Sequence, residues 1–133
     1  MLKSEVVIVS INRPYEEVYA FCADPMNFGR WATEPDTVME PLGGNEYLVE
    51  LPQGRRVLRY ALPNAYGVLD YQVYEVGEHE GPTRPVRLIR NENGTDLQVT
   101  RFQEDAMTDE RFQSELEWLR SDLQRFKTLI EGG

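Results

Sequence analysis

The stretch Thr108–Glu131, TDERFQSELEWLRSDLQRFKTLIE, decides the architecture of this chain. Phe112, Leu116, Leu119, Leu123, Phe126 and Ile130 recur at spacings of four, three, four, three and four. At helical spacing these positions share one stripe. Thr108 is a natural N-cap, and Asp109 and Glu110 place negative charge in the first turn. Lys127 lies near the other end, before Gly132 and Gly133. Trp118 and Leu129 are expected to widen the stripe. The spacing is also heptad-like, but the run barely exceeds a coiled coil's minimum. Such a stripe needs a cover, and only the segment upstream is large enough to supply it.

That segment reads as a succession of short strands. Gly43-Gly44-Asn45 separates Val38–Leu42 from Glu46–Leu51, and Pro52-Gln53-Gly54 separates the latter from Arg55–Leu62. Pro63-Asn64-Ala65 leads into Tyr66–Val76. A charged loop from Gly77 to Pro82 precedes Thr83–Asn91. Asn93-Gly94 is the strongest hairpin signal, since both residues tolerate positive φ, and Thr95–Gln103 follows it. Hairpin-length links imply antiparallel neighbours. Further upstream, Glu5 to Ile11 is a β-branched first strand. Pro14 suits a first helical turn, with Tyr15, Val18, Phe21 and Cys22 on its apolar face. Asp24-Pro25 caps and starts a second short helix, in which Phe28, Trp31 and Ala32 are candidates for burial. The fold predicted is α+β: a curved antiparallel sheet of six or seven strands gripping one long C-terminal helix, with two short helices after the first strand.

Alternation sorts the strand faces. Leu69, Tyr71 and Val73 share one face, opposite Val68, Asp70, Gln72 and Tyr74. Leu58, Tyr60 and Leu62 oppose Val57, Arg59 and Ala61, and Leu97, Val99 and Arg101 oppose Gln98, Thr100 and Phe102. No face is purely apolar. A mixed inner face suits a ligand cavity better than a packed core.

Totals narrow the function classes. The 133 residues make one domain with a real core, and the 41% hydrophobic share argues against disorder. A formal net charge of −9 disfavours nucleic acid and anionic membrane surfaces as partners. No apolar run approaches a membrane span. The opening MLKSEVVIVSI reads as a strand and not as a signal peptide, because Glu5 interrupts it and no small-residue cleavage site follows. The single cysteine, Cys22, excludes an intrachain disulfide and fits a reducing cytoplasm. One His and one Cys, distant in sequence, do not form the usual metal site, and no acidic spacing matches a calcium loop. No cofactor and no metal are expected.

With those residues in view, a resemblance enters. INRPYEEVYAFCADPMNFGRWA, from Ile11 to Ala32, resembles the opening of START-like, or SRPBCC, helix-grip domains. YGVLDY (Tyr66–Tyr71), PVRLIRNENGTD (Pro85–Asp96), TRF (Thr100–Phe102) and Met107 with the following helix are similar to a bacterial SRPBCC subfamily labelled polyketide cyclase/dehydrase-like. The likeness covers nearly the whole chain. It implies the helix-grip fold and a small hydrophobic, aromatic or lipid-like ligand. It also admits two rivals: a cyclase or aromatase enzyme, and a protein-interaction module of co-chaperone or toxin type. In such relatives a His often follows the Asp of GVLD; here that position is Tyr71, which removes any imidazole role.

The candidate ligand contacts are Tyr60, Tyr71, Arg101, Asp70, Arg87, Phe28, Trp31 and Trp118. Tyrosine hydroxyls donate to a ligand carbonyl, and Arg101 can hold an anion. Asp70 and Arg87 are expected on adjacent strands, about two residues off register, either orienting a polar ligand group or forming a structural ion pair. Phe28, Trp31 and Trp118 are placed either at a cavity mouth or in the core. A cavity is expected between the inner sheet face and the C-terminal helix, partly lined by Tyr71 and Trp118. His79, in Gly-Glu-His-Glu-Gly, is expected to be exposed. The oligomeric state is open, and a homodimer is compatible with the sequence.

Overall fold

The computed structural model describes residues 1–31, 38–51 and 54–132. In chain order it contains β1 (Lys3–Ile11), α1 (Tyr15–Ala23), a 3-10 turn (Pro25–Asn27), α2 (Phe28–Trp31), β2 (Met39–Gly43), β3 (Glu46–Leu51), β4 (Gly54–Tyr60), β5 (Tyr71–Glu75), β6 (Thr83–Arg84), β7 (Val86–Asn91), β8 (Gly94–Gln103) and α3 (Asp109–Gly132). The expected α+β architecture is present, in the expected order. Ala32, a candidate for burial from the sequence, and the Pro52-Gln53 turn residues lie outside the described residues.

Every strand pair is antiparallel, in the orders β1-β8-β7 and β2-β3-β4-β5-β6. One strand passes through both groups. Val68 bridges Arg87, and Tyr71 faces Arg84, which is the same register. The Leu69 N–H donates to the Val86 carbonyl at 3.0 Å, and the Leu88 N–H to the Gly67 carbonyl at 2.9 Å. Thr83–Arg84 and Val86–Asn91 therefore behave as one strand interrupted at Pro85, and the two groups form one curved sheet. Proline explains the interruption, because it has no N–H to give the ladder.

The inner face of that sheet and the α3 stripe make the core. Val7, Val9, Ile11, Leu58, Tyr60, Leu69, Val86, Leu88, Leu97 and Val99 are buried from the sheet. Phe112, Leu116, Leu119, Leu123, Phe126 and Ile130 are buried from the helix. Thr108 caps α3 as expected, its hydroxyl accepting from the Arg111 N–H at 3.1 Å. At the other end, Glu131 accepts from the Asn12 N–H at 2.7 Å and pairs with Lys127. Lys127 also donates to the Ser10 carbonyl at 2.7 Å. The Asn12 and Lys127 contacts hold the Glu131 carboxyl below its ordinary titration range. These bonds tie the end of α3 to the end of β1 and fix the helix along the sheet.

One reading of the helix needs correction. Trp118 and Leu129 do not widen the buried stripe; they are exposed on its flanks. The Arg111 guanidinium instead lies 4.9 Å from the Trp118 ring centroid. The last hairpin also turns one residue early. Asn91 faces Gly94, Glu92 and Asn93 make the turn, and Glu92 takes the positive φ, at 53°. Leu62, placed on the inner face by alternation, is exposed because β4 ends at Tyr60. Among the described residues, no helix is long and apolar enough to cross a membrane.

Candidate functional site

A row of polar side chains crosses the inner face at one end of the sheet. Glu5 is paired with Arg101, Arg84 with Tyr71, and Tyr71 with Tyr60. Alternation puts all of them on the face that carries Leu69, Val86 and Val99. Arg84 was not among the sequence candidates. It was readable, since it lies two residues before Val86 on the same parity, but the proline between them obscured the alternation.

Tyr60 and Tyr71 are neighbours with different fates. The Tyr60 hydroxyl donates to the Cys22 carbonyl in the last turn of α1, a position whose carbonyls lack intrahelical partners. Burial raises the Tyr60 phenol far above its ordinary value and does the same to the Cys22 thiol. Tyr60 is thus a tie between sheet and helix, unlike the ligand contact expected from sequence, and Cys22 is no nucleophile. Tyr60→Phe is expected to lower stability by about 1–3 kcal/mol, because the Cys22 carbonyl stays buried without its donor. Chemical denaturation against the parent measures this; a loss within error would show that the bond carries no net weight.

Tyr71 is also buried, at 6% exposure. Its ring meets Phe28 edge-on at 4.9 Å between centroids, and Phe28 meets Tyr60 at 5.9 Å in the same manner. Phe28 is delivered there by Asp24, which caps the 3-10 turn through the Met26 N–H at 3.0 Å. The Tyr71 hydroxyl has no hydrogen-bond partner among the described residues. Phe28 and Tyr71 are therefore brought together by the fold. Trp31 closes α2, and its side chain lies outside the described residues.

Asp70 and Arg87 lie on the opposite, outer face and form an ion pair. Asp70 also accepts from the Val86 N–H at 2.8 Å. The offset of two residues matches the sequence reading, but every contact is structural. Both groups are partly solvated, so the pair contributes little by itself. Its role is to bind β7 to the segment before β5, the structural one of the two roles expected from sequence. A shallow concavity of ≈ 170 Å³ lies nearby, lined by Arg59, Asp70, Gln72 and Thr83 and also by Tyr60 and Tyr71. Beside it, Tyr74 packs with Val57 under the Arg59 guanidinium, and Arg59 donates to the His79 carbonyl at 2.7 Å. His79 itself is exposed. Trp118, on the exposed flank of α3, is withdrawn as a cavity liner.

Arg101 remains on the row. Its guanidinium reaches the Thr100 carbonyl at 3.5 Å, and it lines a cleft with Arg84. Chemically, this end of the sheet offers three donors, one phenol and two guanidiniums, with the Glu5 carboxylate on the same row. Donors of that kind orient or polarise a carbonyl.

No protein-family model matches the chain, and no curated protein matches it. Solved structures do. The Aha1 dimer from Colwellia psychrerythraea aligns with a TM-score of 0.71 at 16% identity, covering 97% of this chain and 96% of that one. Ara h 8.0201 aligns at 0.68 and 13% identity, over 100% of both chains. DynU16, from the dynemicin biosynthetic locus, aligns at 0.65 and 20% identity, over 96% of this chain and 47% of that one. At such identities the likeness is one of fold, and the fold is the START-like helix grip.

Proposed function

We propose that this chain binds a small, largely apolar molecule, aromatic or lipid-like, on the inner sheet face beside Tyr71. One observation carries the reading. A hydroxyl on a residue only 6% exposed has no hydrogen-bond partner among the described residues. Leaving such a group unsatisfied costs about 1–3 kcal/mol, and a ligand polar atom would recover it. The surroundings are apolar and aromatic, with Phe28 edge-on and Leu69 on the same face. That combination of an apolar wall with a few convergent donors is how small-molecule sites are built. The helix-grip fold supports the same reading.

Tyr71→Phe tests it directly. Native mass spectrometry of the purified protein identifies any retained small molecule. The variant is expected to retain it about fivefold more weakly, the worth of one neutral hydrogen bond. Thermal stability is expected to stay level or rise, because the substitution removes an unsatisfied group. A variant that loses stability while binding unchanged would refute the assignment.

A cyclase- or aromatase-type activity, as the polyketide cyclase/dehydrase-like pattern suggests, would use the same donors on a bound carbonyl. A second reading draws on the outer face of β1 and β8, where Val6, Ile8 and Phe102 are exposed. β1 also ends the strand order of its group. An apolar strip beside an open edge favours association with another chain, a homodimer included. Light scattering of the eluted protein is expected to show a dimer on this reading, and a monomer at high concentration would exclude it.

A further inference from the structure

The cleft at the end of the polar row has a specific origin. β7 and β8 are paired from Asn91 back to Val86, and the last bond runs from the Thr100 N–H to the Pro85 carbonyl at 3.1 Å. Pro85 has no N–H to return the bond, so the ladder stops there. β6 then follows β5 instead, with Arg84 facing Tyr71. The gap left between Pro82–Arg84 and Thr100–Phe102 is a cleft of ≈ 240 Å³.

Continuing the β7–β8 register one residue beyond its last bond sets Arg84 opposite Arg101. Like charges facing each other across neighbouring strands are destabilising. Neither arginine has a carboxylate within 4.0 Å among the described residues, although Glu5 is the strand partner of Arg101 and Glu104 lines the cleft. The chain carries a formal net charge of −9, so acidic groups are abundant, and most other arginines are paired. Two cations without a carboxylate partner therefore line one cleft, and Arg84 is the strand partner of Tyr71, whose hydroxyl also lacks a partner among the described residues. All three groups donate.

Resting on the apolar-ligand reading above, we infer that the ligand is an anionic amphiphile whose carboxylate is held by Arg84 and Arg101, with Tyr71 supplying a third hydrogen bond. Guanidiniums match the planar carboxylate through paired N–H donors. An anion between them also removes their mutual repulsion. The apolar body of the ligand then lies along the inner face toward Phe28.

The test compares acids with neutral alcohols of the same carbon skeleton. Octanoate against 1-octanol, and 2-naphthoate against 2-naphthylmethanol, are titrated into the isotope-labelled protein and followed by amide and arginine side-chain resonances. The acid of at least one pair is expected to bind about tenfold more tightly than its alcohol at low ionic strength, the step from a neutral to a charge-assisted contact. Added salt should narrow that gap. In R84Q/R101Q the preference should fall to within about threefold, with the alcohol still bound and the amide spectrum still folded. If wild-type protein binds acid and alcohol equally, the anionic assignment is overturned while the apolar-ligand reading stands. A preference that persists in R84Q/R101Q overturns it as well. If neither member of any pair binds, both readings fall. R101Q alone gives the same comparison should the double variant not fold.

Discussion

Gly67→Ala is expected to lower stability by about 3–5 kcal/mol, combining backbone strain with a steric clash. Gly67 adopts a φ of +69°, a conformation that residues with a Cβ rarely take. A Cβ there would stand 2.2 Å from the Leu88 carbonyl oxygen and 3.0 Å from the Tyr15 hydroxyl. The first obstacle is backbone, and that same residue donates its N–H to the Gly67 carbonyl. Relief would require opening the seam where the segment before β5 meets β7. Gly44→Ala is the control: its φ is +57°, but nothing lies within 4 Å of its Cβ position. That variant should lose only about 1–2 kcal/mol, the strain alone. Urea titrations of both decide the matter; equal losses would show that the seam yields freely. The seam concerns function too, because it fixes the strand that presents Tyr71 to the inner face.

The elements were legible because periodicity is a strong signal. The α3 stripe was readable in full from Phe112 to Ile130, and the strand order followed from turn residues. Asp70 and Arg87 were readable as a diagonal pair, since alternation gives both face and approximate offset. Tyr60 was misread because alternation reports a face and is silent on what approaches it. Its partner, the Cys22 carbonyl, comes from a helix whose docking no local pattern encodes. Trp118 was misread for a related reason. A large aromatic beside an apolar stripe suggests a wider stripe, yet its indole was drawn to Arg111 on the same helix. Arg84 was missed because Pro85 stands between it and the strand whose parity it follows. That proline also makes the cleft, so the feature that hid the residue is the one that gives it a role.

Leu123→Ala is expected to lower stability by roughly 2–5 kcal/mol, the range for deleting a buried leucine side chain. Leu123 is 1% exposed and sits between Leu119 and Phe126 on the stripe. The spread within that range reflects how far neighbours collapse into the space left behind. Here α3 is held at its ends, by Thr108 at the start and by Glu131 and Lys127 against β1 at the finish. A helix pinned at both ends has little freedom to settle inward, which favours the upper half of the range. Leu129→Ala provides the comparison. It lies on the same helix at 47% exposure and should change stability by no more than about 0.5 kcal/mol. If Leu123→Ala costs as little as Leu129→Ala, the stripe faces loose space instead of packed sheet. The apolar ligands proposed above would then distinguish the causes. A space open to them gains stability with the logarithm of ligand concentration over its dissociation constant, whereas a repacked interior gains none.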